Sequence, residues 1–162
     1  MEPISYVKAI NDYYQGLGYP PYQWTVNTSA PFTPLSKPLH KCRISMLTSG
    51  GISHHTREPF NPTAKNDLRL DEVDFQASPS DFEINDSYYD TRDARKDLNV
   101  IFPIERLREL ARDGVIGSIA PRLWSGFMGR IYNRSKVLEE SAPALGRELL
   151  RDGVDLLVLV PA

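Results

Sequence analysis

Two groups of residues have the types and spacing to do chemistry. The first is Thr48, Ser49, Gly50 and Gly51, followed closely by His54 and His55. Glycines let a ligand come close to the backbone, and the exposed amides of such a turn can hold an anionic group. The imidazoles of His54 and His55 are of the type that can serve as general acid or base. The same residues also make an ordinary glycine turn with solvated histidines, and residue types alone do not separate the two. The second group is Tyr88, Tyr89, Asp90, Asp93, Asp97 and Asn99. Its carboxylates and phenols could orient an ammonium-bearing substrate or hold a divalent cation. The Asp-x-x-Asp-x-x-x-Asp spacing does not fit a calcium loop, so no metal site is assigned, and turn capping with surface pairing is the competing account. Cys42 is the only cysteine. It excludes an internal disulfide, a multi-cysteine metal centre and a Cys-x-x-Cys pair, and at the start of a strand it reads as packing. No Ser-His-Asp set, phosphate-binding loop or dinucleotide-binding glycine fingerprint occurs in the sequence.

The elements that must position these groups follow from periodicity. Residues 42–48 alternate and then close into an apolar run before Gly50 and Gly51, which predicts a strand ending in a turn. Residues 52–98 hold Pro59, Pro62 and Pro79 with no sustained period and read as a long irregular stretch. Within it, 67–97 carries ten acidic residues against four basic ones, the pattern of a solvated acidic face or a binding surface. Residues 99–102 read as a short strand. Pro103 then opens a helix with Ile104, Leu107, Leu110 and Ala111 inward, stopped at Gly114. Residues 115–120 read as extended and 121–129 as a loop bearing Trp124, Phe127 and Met128. Ser135 or Ser141 is expected to cap a helix with Val137, Leu138, Ala142, Leu145 and Leu149 inside, ending at Gly153. Residues 154–160 are apolar on both faces, as a parallel strand between helix layers is. The fold class is therefore α/β: a layered, mostly parallel sheet flanked by helices, with ligand chemistry expected beyond the carboxyl ends of the strands.

Ahead of this lies a stretch of different character. Residues 1–41 combine Pro3, Pro20, Pro21, Pro31, Pro34 and Pro38 with Tyr6, Tyr13, Tyr14, Tyr19, Tyr22, Trp24 and Phe32. Proline at this density forbids long regular elements after a short helix over 5–15, and the aromatics supply area to lie on a surface. The reading is an N-terminal wrapping arm, 1–41, and an α/β domain, 42–162.

The whole chain has 162 residues, 41% hydrophobic and 25% charged, the make-up of one globular domain. A net charge of −2 provides no positive field for nucleic acid or an anionic membrane. The longest apolar run, 154–160 interrupted by Asp155, is far short of a membrane span, and the start Met1-Glu2-Pro3 is not that of a signal peptide. A cytoplasmic protein is expected, with a small molecule or another protein as partner. A chain stopping at Ala162, directly after a strand of buried type, is expected to be an incomplete fold.

The run Tyr89-Asp90-x-x-Asp93-Ala94-x-x-Asp97-x-Asn99-Val100-x-Phe102-Pro103-Ile104-x-Arg106-Leu107-x-Glu109-Leu110, with Gly114-Val115-Ile116-Gly117-Ser118 and Phe127-Met128-Gly129, resembles the selenoprotein B family. These are the B components of glycine, sarcosine, betaine and D-proline reductases. Thr48-x-Gly50-Gly51, Pro59-Phe60 and Asp152-Gly153-Val154-Asp155 extend the likeness over 42–162.

The resemblance implies reductive cleavage of a carbon–nitrogen bond in an amino acid or related amine. It further implies a dithiol reductant or redox partner protein, no separate cofactor, and room for a second subunit. In that family a redox selenocysteine or cysteine follows the strand matching 154–160, so a full-length product is expected to continue with selenocysteine after Ala162. The resemblance puts Thr48, Ser49, Gly50 and Gly51 near the substrate carboxylate, Tyr89, Asp90, Asp93 and Asp97 around the loop, and Phe127, Met128 and Gly129 along the pocket. Two positions depart from the family pattern: Asn85-Asp86-Ser87-Tyr88 stands where it carries histidine before the Tyr-Asp pair, and Leu123-Trp124 where it carries His-Tyr. The competing account is a noncatalytic α/β binding or partner subunit without a redox nucleophile.

Overall fold

The computed structural model describes residues 5–22, 26, 28–30 and 33–162. Pro3, Trp24, Pro31 and Phe32 of the predicted arm lie outside the described residues. The chain divides into two units, 1–34 and 35–162. In the first, α1 (Tyr6–Gly16) matches the expected helix, and Tyr13, Tyr14 and Tyr19 stack edge to face in sequence. The Asn11 side chain accepts from the Tyr22 amide at 2.9 Å, folding the segment after the helix back on it.

The second unit is built on β1 (Arg43–Thr48), which is buried from Ile44 onward. On one side it pairs in parallel with β5 (Ser118–Ile119) at its start and with β6 (Arg122–Gly126) at its end. The register shifts by two residues between them. Ala120-Pro121 therefore forms a bulge in what is nearly one strand, with the Ala120 amide donating to Ile44 O and Ser45 Oγ to Arg122 O. On the other side β7 (Leu156–Val160) runs parallel to β1 along its whole length, from Ile44↔Leu156 to Thr48↔Val160. Beyond β6, β3 (Leu70–Asp74) pairs antiparallel. The architecture is α/β with a mixed, mostly parallel sheet flanked by helices, as expected, and β3 supplies the antiparallel member.

Strand alternation assigns the two faces. Ile44 and Met46 pack with α2 (Ile104–Arg112) through Ile104 and Leu107, in a core that includes Phe102 and Leu123. Leu47 and Trp124 point the other way, against Leu145 and Leu149 of α4 (Ala142–Arg151). The crossover from β1 to β5 thus passes over one face and that from β6 to β7 over the other. This is what right-handed crossovers stepping in opposite directions require.

Five local expectations are corrected. The irregular 52–98 stretch contains β2 (Ile52–His54) and β4 (Phe82–Ile84), which pair antiparallel as a separate sheet, as well as β3. Their pairing partners lie far along the chain, so short-range periodicity could not reveal them. Residues 99–102 are not a strand. Asp97 accepts from the Asn99 amide and the Asn99 side chain bonds Glu105, which folds 98–100 into a 3-10 turn and caps α2. The 121–129 loop is largely β6. The last helix is capped by Asn133, whose side chain accepts from Lys136, and passes through a short α3 (Arg134–Lys136) and a π turn (Val137–Ser141) before α4. Leu138 and Leu110, expected inside, are exposed.

Candidate functional site

The parallel strands β1, β6 and β7 all end at one edge of the sheet, where ligands of such sheets bind. There Thr48 Oγ1 donates to Ile101 O at 2.7 Å and accepts from the Gly50 amide at 3.0 Å, turning the chain sharply after β1. The Tyr89 hydroxyl donates to Gly50 O at 2.8 Å. Burial, together with the nearby Asp86, pushes that phenol up to about 12, so it stays a donor through the neutral range.

Gly51 is left-handed at φ 66°, and a Cβ there would lie 2.8 Å from both Asn85 O and Met128 Cε. Its carbonyl accepts from the Asn85 amide at 2.8 Å, joining the turn to the segment after β4. At Gly50 a Cβ would lie 2.9 Å from the side-chain atom Ile101 Cδ1. At Gly51 only glycine fits, because its left-handed backbone lies directly against the Asn85 carbonyl. Desolvation also raises the Asp86 carboxyl above the usual carboxylate range. The Nδ2 of Asn85 is buried with no hydrogen-bond partner among the described residues.

The loop after β6 closes the same edge. Phe127 is left-handed at φ 53°, a strained conformation for an aromatic residue, and it packs against the Leu47–Trp124 cluster. Met128 is buried against Gly51. Gly129 sits under the Tyr88 ring, where a Cβ would lie 3.1 Å from the nearest ring atom, with the Arg130 guanidinium 5.3 Å from that ring's centre. From the third strand, Val160 O accepts from the Ser49 amide at 3.2 Å, and the Ala162 amide donates to Ser49 Oγ at 3.1 Å. The residues after β7 therefore run directly beside the Thr48–Gly51 turn.

Thr48, Ser49, Gly50, Gly51, Tyr89, Met128 and Gly129 are thus brought together, with Phe127 adjoining. The other named residues are engaged elsewhere. His54 ends β2, its Nδ1 2.8 Å from Thr56 Oγ1 and its ring edge to face with Phe82. It borders a separate cavity of about 400 Å³ shared with Arg57, Asp74 and Asp81. Asp90 is exposed and held by Arg92, which lowers its carboxyl below the usual range. Asp93 is exposed and pairs with Lys96, and Asp97 caps the 3-10 turn. No hydrogen bond joins these three carboxylates to the turn among the described residues. No group of three or more His, Cys, Asp or Glu there is placed to hold a metal ion.

Sequence reasoning missed Asn85, Asp86 and Ile101. Asn85 and Asp86 lie just beyond β4, a strand without a sequence signal, and Ile101 takes part through its backbone. Cys42 is buried at the opposite end of β1, ~20 Å from Thr48 by strand rise. Its thiol lies 3.5 Å from Pro38 O. No helix among the described residues is long and apolar enough to cross a membrane.

The family model of the glycine/sarcosine/betaine reductase selenoprotein B matches residues 21–162. The chain is 33% identical over 128 residues to the D-proline reductase subunit gamma of Acetoanaerobium sticklandii, covering 79% of this chain and 52% of the relative. It is 29% identical over 143 residues to the sarcosine reductase complex component B subunit beta of Peptoclostridium acidaminophilum, covering 85% of this chain and 32% of that protein. No solved structure matches. The match spans about half the length of the first relative and a third of the second. With most of its length accounted for by one family model, the chain belongs to the glycine/sarcosine/betaine reductase selenoprotein B family.

Proposed function

We propose that this chain is the substrate-cradling part of a cytoplasmic selenoprotein B-type reductase that cleaves a carbon–nitrogen bond in an amino acid or related amine. The C–N bond breaks, the nitrogen leaves with the bonding pair and a proton, and carbon gains hydrogen. A dithiol supplies the two electrons and becomes a disulfide. The full-length product continues past Ala162, with selenocysteine as the nucleophile.

The observation that carries this reading is the junction of β7 with the glycine turn. Ser49 bonds both Val160 and Ala162, so a residue following Ala162 leaves the sheet beside Thr48–Gly51. A substrate carboxylate over the turn would then present its neighbouring carbon to that residue. The Ser49 and Gly50 amides already donate to Val160 O and Thr48 Oγ1, which leaves the Gly51 amide for the carboxylate, and Tyr89, kept protonated, anchors Gly50 so that the turn does not yield when the ligand arrives. The relatives' additional length is consistent with further polypeptide.

The test is the intact mass of the protein isolated from its native host, with selenium quantified in the same sample. A mass well above 18.3 kDa with about one selenium per chain is expected. A mass of 18.3 kDa without selenium overturns the continuation and leaves a binding subunit as the better account.

A further inference from the structure

Among the described residues, strand β7 pairs with one strand, β1. It shares Leu47 and Thr48 of β1 with β6 and Ile44 with β5, so all three cannot lie on one side, and β7 lies alone on its own. Ser49 N donates to Val160 O in the register that pairs Thr48 with Val160, and the alternation of a parallel ladder then turns the N–H and C=O groups of Leu157 and Leu159 outward, away from β1. The strand is Leu-Leu-Val-Leu-Val, without the charge, proline or bulge that normally blunts an edge.

Its two faces are not equally covered. Leu156, Val158 and Val160 pack on the main core, whereas Leu159 is 63% exposed and lies on the face of α4, in register with Leu47. On that same face Leu150 is 78% exposed, and a groove of about 570 Å³ runs between α4 and β7, bordered by Pro143, Gly146, Val154 and Leu157.

The handedness of the fold says what shape fills this space. The step from β6 to β7 carries α4 over the Leu47 face. A further right-handed step outward from β7, in the same direction, must carry its helix over that face too, beside α4. The exposed leucines lie there and not on the opposite face. A strand apolar on both faces, moreover, is the interior strand of a parallel sheet.

We infer that the outer edge of β7 receives a further parallel strand of the full-length reductase, and that the helix leading into it lies in the α4–β7 groove over Leu150 and Leu159. The occupant is the segment that the reductase reading above places after Ala162; the chain covers 52% and 32% of the two relatives' lengths. This rests on the continuation proposed above but makes a separate claim about where the added segment docks. A second copy pairing antiparallel through β7 would add a strand without covering the groove by a crossover helix.

The test compares backbone hydrogen exchange of residues 154–160 in the product isolated from the native host and in the 162-residue chain. At least 100-fold slower exchange of the Leu157 and Leu159 amides in the native product is expected. That protection is expected to be lost in a full-length Leu150→Lys/Leu159→Lys variant whose β1 amides stay protected. A product longer than 18.3 kDa with unchanged β7 exchange overturns the docking inference and leaves the reductase reading intact. Concentration-dependent protection in a symmetric dimer overturns it in favour of a second copy. A product of 18.3 kDa without selenium overturns both.

Discussion

Single atoms decide the shape of the candidate site. At Gly51 a methyl group would meet Asn85 O and Met128 Cε at 2.8 Å, and the left-handed backbone adds its own penalty. Gly51→Ala is therefore expected to destabilise by more than the roughly 1–2 kcal/mol of the left-handed conformation alone. Gly146→Ala, in open space within α4, should instead stabilise by up to about 1 kcal/mol. Urea denaturation of the two variants reads the difference, and equal effects would refute the packing account. Tyr89→Phe leaves the Gly50 carbonyl without its donor. A loss of about 1–3 kcal/mol is expected, with a weakened KM if the turn holds the substrate. An unchanged KM would remove Tyr89 from the positioning role.

At the scale of elements, charged side chains tie the strand ends together. Asp155 accepts from the Arg43 amide at 2.6 Å and from Lys37 at 2.8 Å, which pins the start of β7 to the start of β1 and lowers its carboxyl below the usual range. A carboxylate whose folded value is depressed contributes stability above its unfolded value and loses it as pH falls through the folded value. Asp155→Asn is thus expected to lower the thermal midpoint at pH 7, the gap to the parent chain closing as pH falls below about 4. A gap that persists at pH 3 would assign the effect to something other than charge.

Arg122 holds a second junction, bridging Glu72 of β3 with Glu148 and Asp152 at the end of α4. Arg122→Met leaves three carboxylates facing one another and should destabilise by roughly 1–3 kcal/mol. The loss should be smaller at high than at low ionic strength, since screening weakens the repulsion. A salt-independent loss, measured by thermal denaturation, would mean that only packing was removed.

For the molecule as a whole, the open edge of β7 governs behaviour in solution. The 162-residue chain on its own presents unpaired backbone groups flanked by exposed leucines, a template for association. Sedimentation should show its apparent mass rising with concentration, and Leu159→Lys should suppress that rise without lowering the thermal midpoint by more than a few degrees. A monodisperse monomer at high concentration would show that the edge is already protected.

Much of this was legible in the residues themselves. The β1 strand with its glycine turn, the helix after Pro103 and the strand before Ala162 each carry a local signal: alternation, a start or stop residue, an apolar run. The family resemblance was also readable, because its positions lie in one continuous stretch from Tyr89 to Leu110. What the sequence could not reveal depends on partners distant along the chain. Strands β2, β3 and β4 are too short and mixed to stand out, and they exist because Ile84, Trp124 and their neighbours offer edges to pair with. The same is true of the site. Asp90, Asp93 and Asp97 look like a cluster in one dimension, yet each is engaged within its own loop, while Asn85 and Asp86 reach the glycine turn through the β2–β4 hairpin. Local periodicity determined β1, β7 and the helices that flank them. Only tertiary packing decided which side chains share a cavity, because that depends on long-range register, which neighbouring residues do not encode.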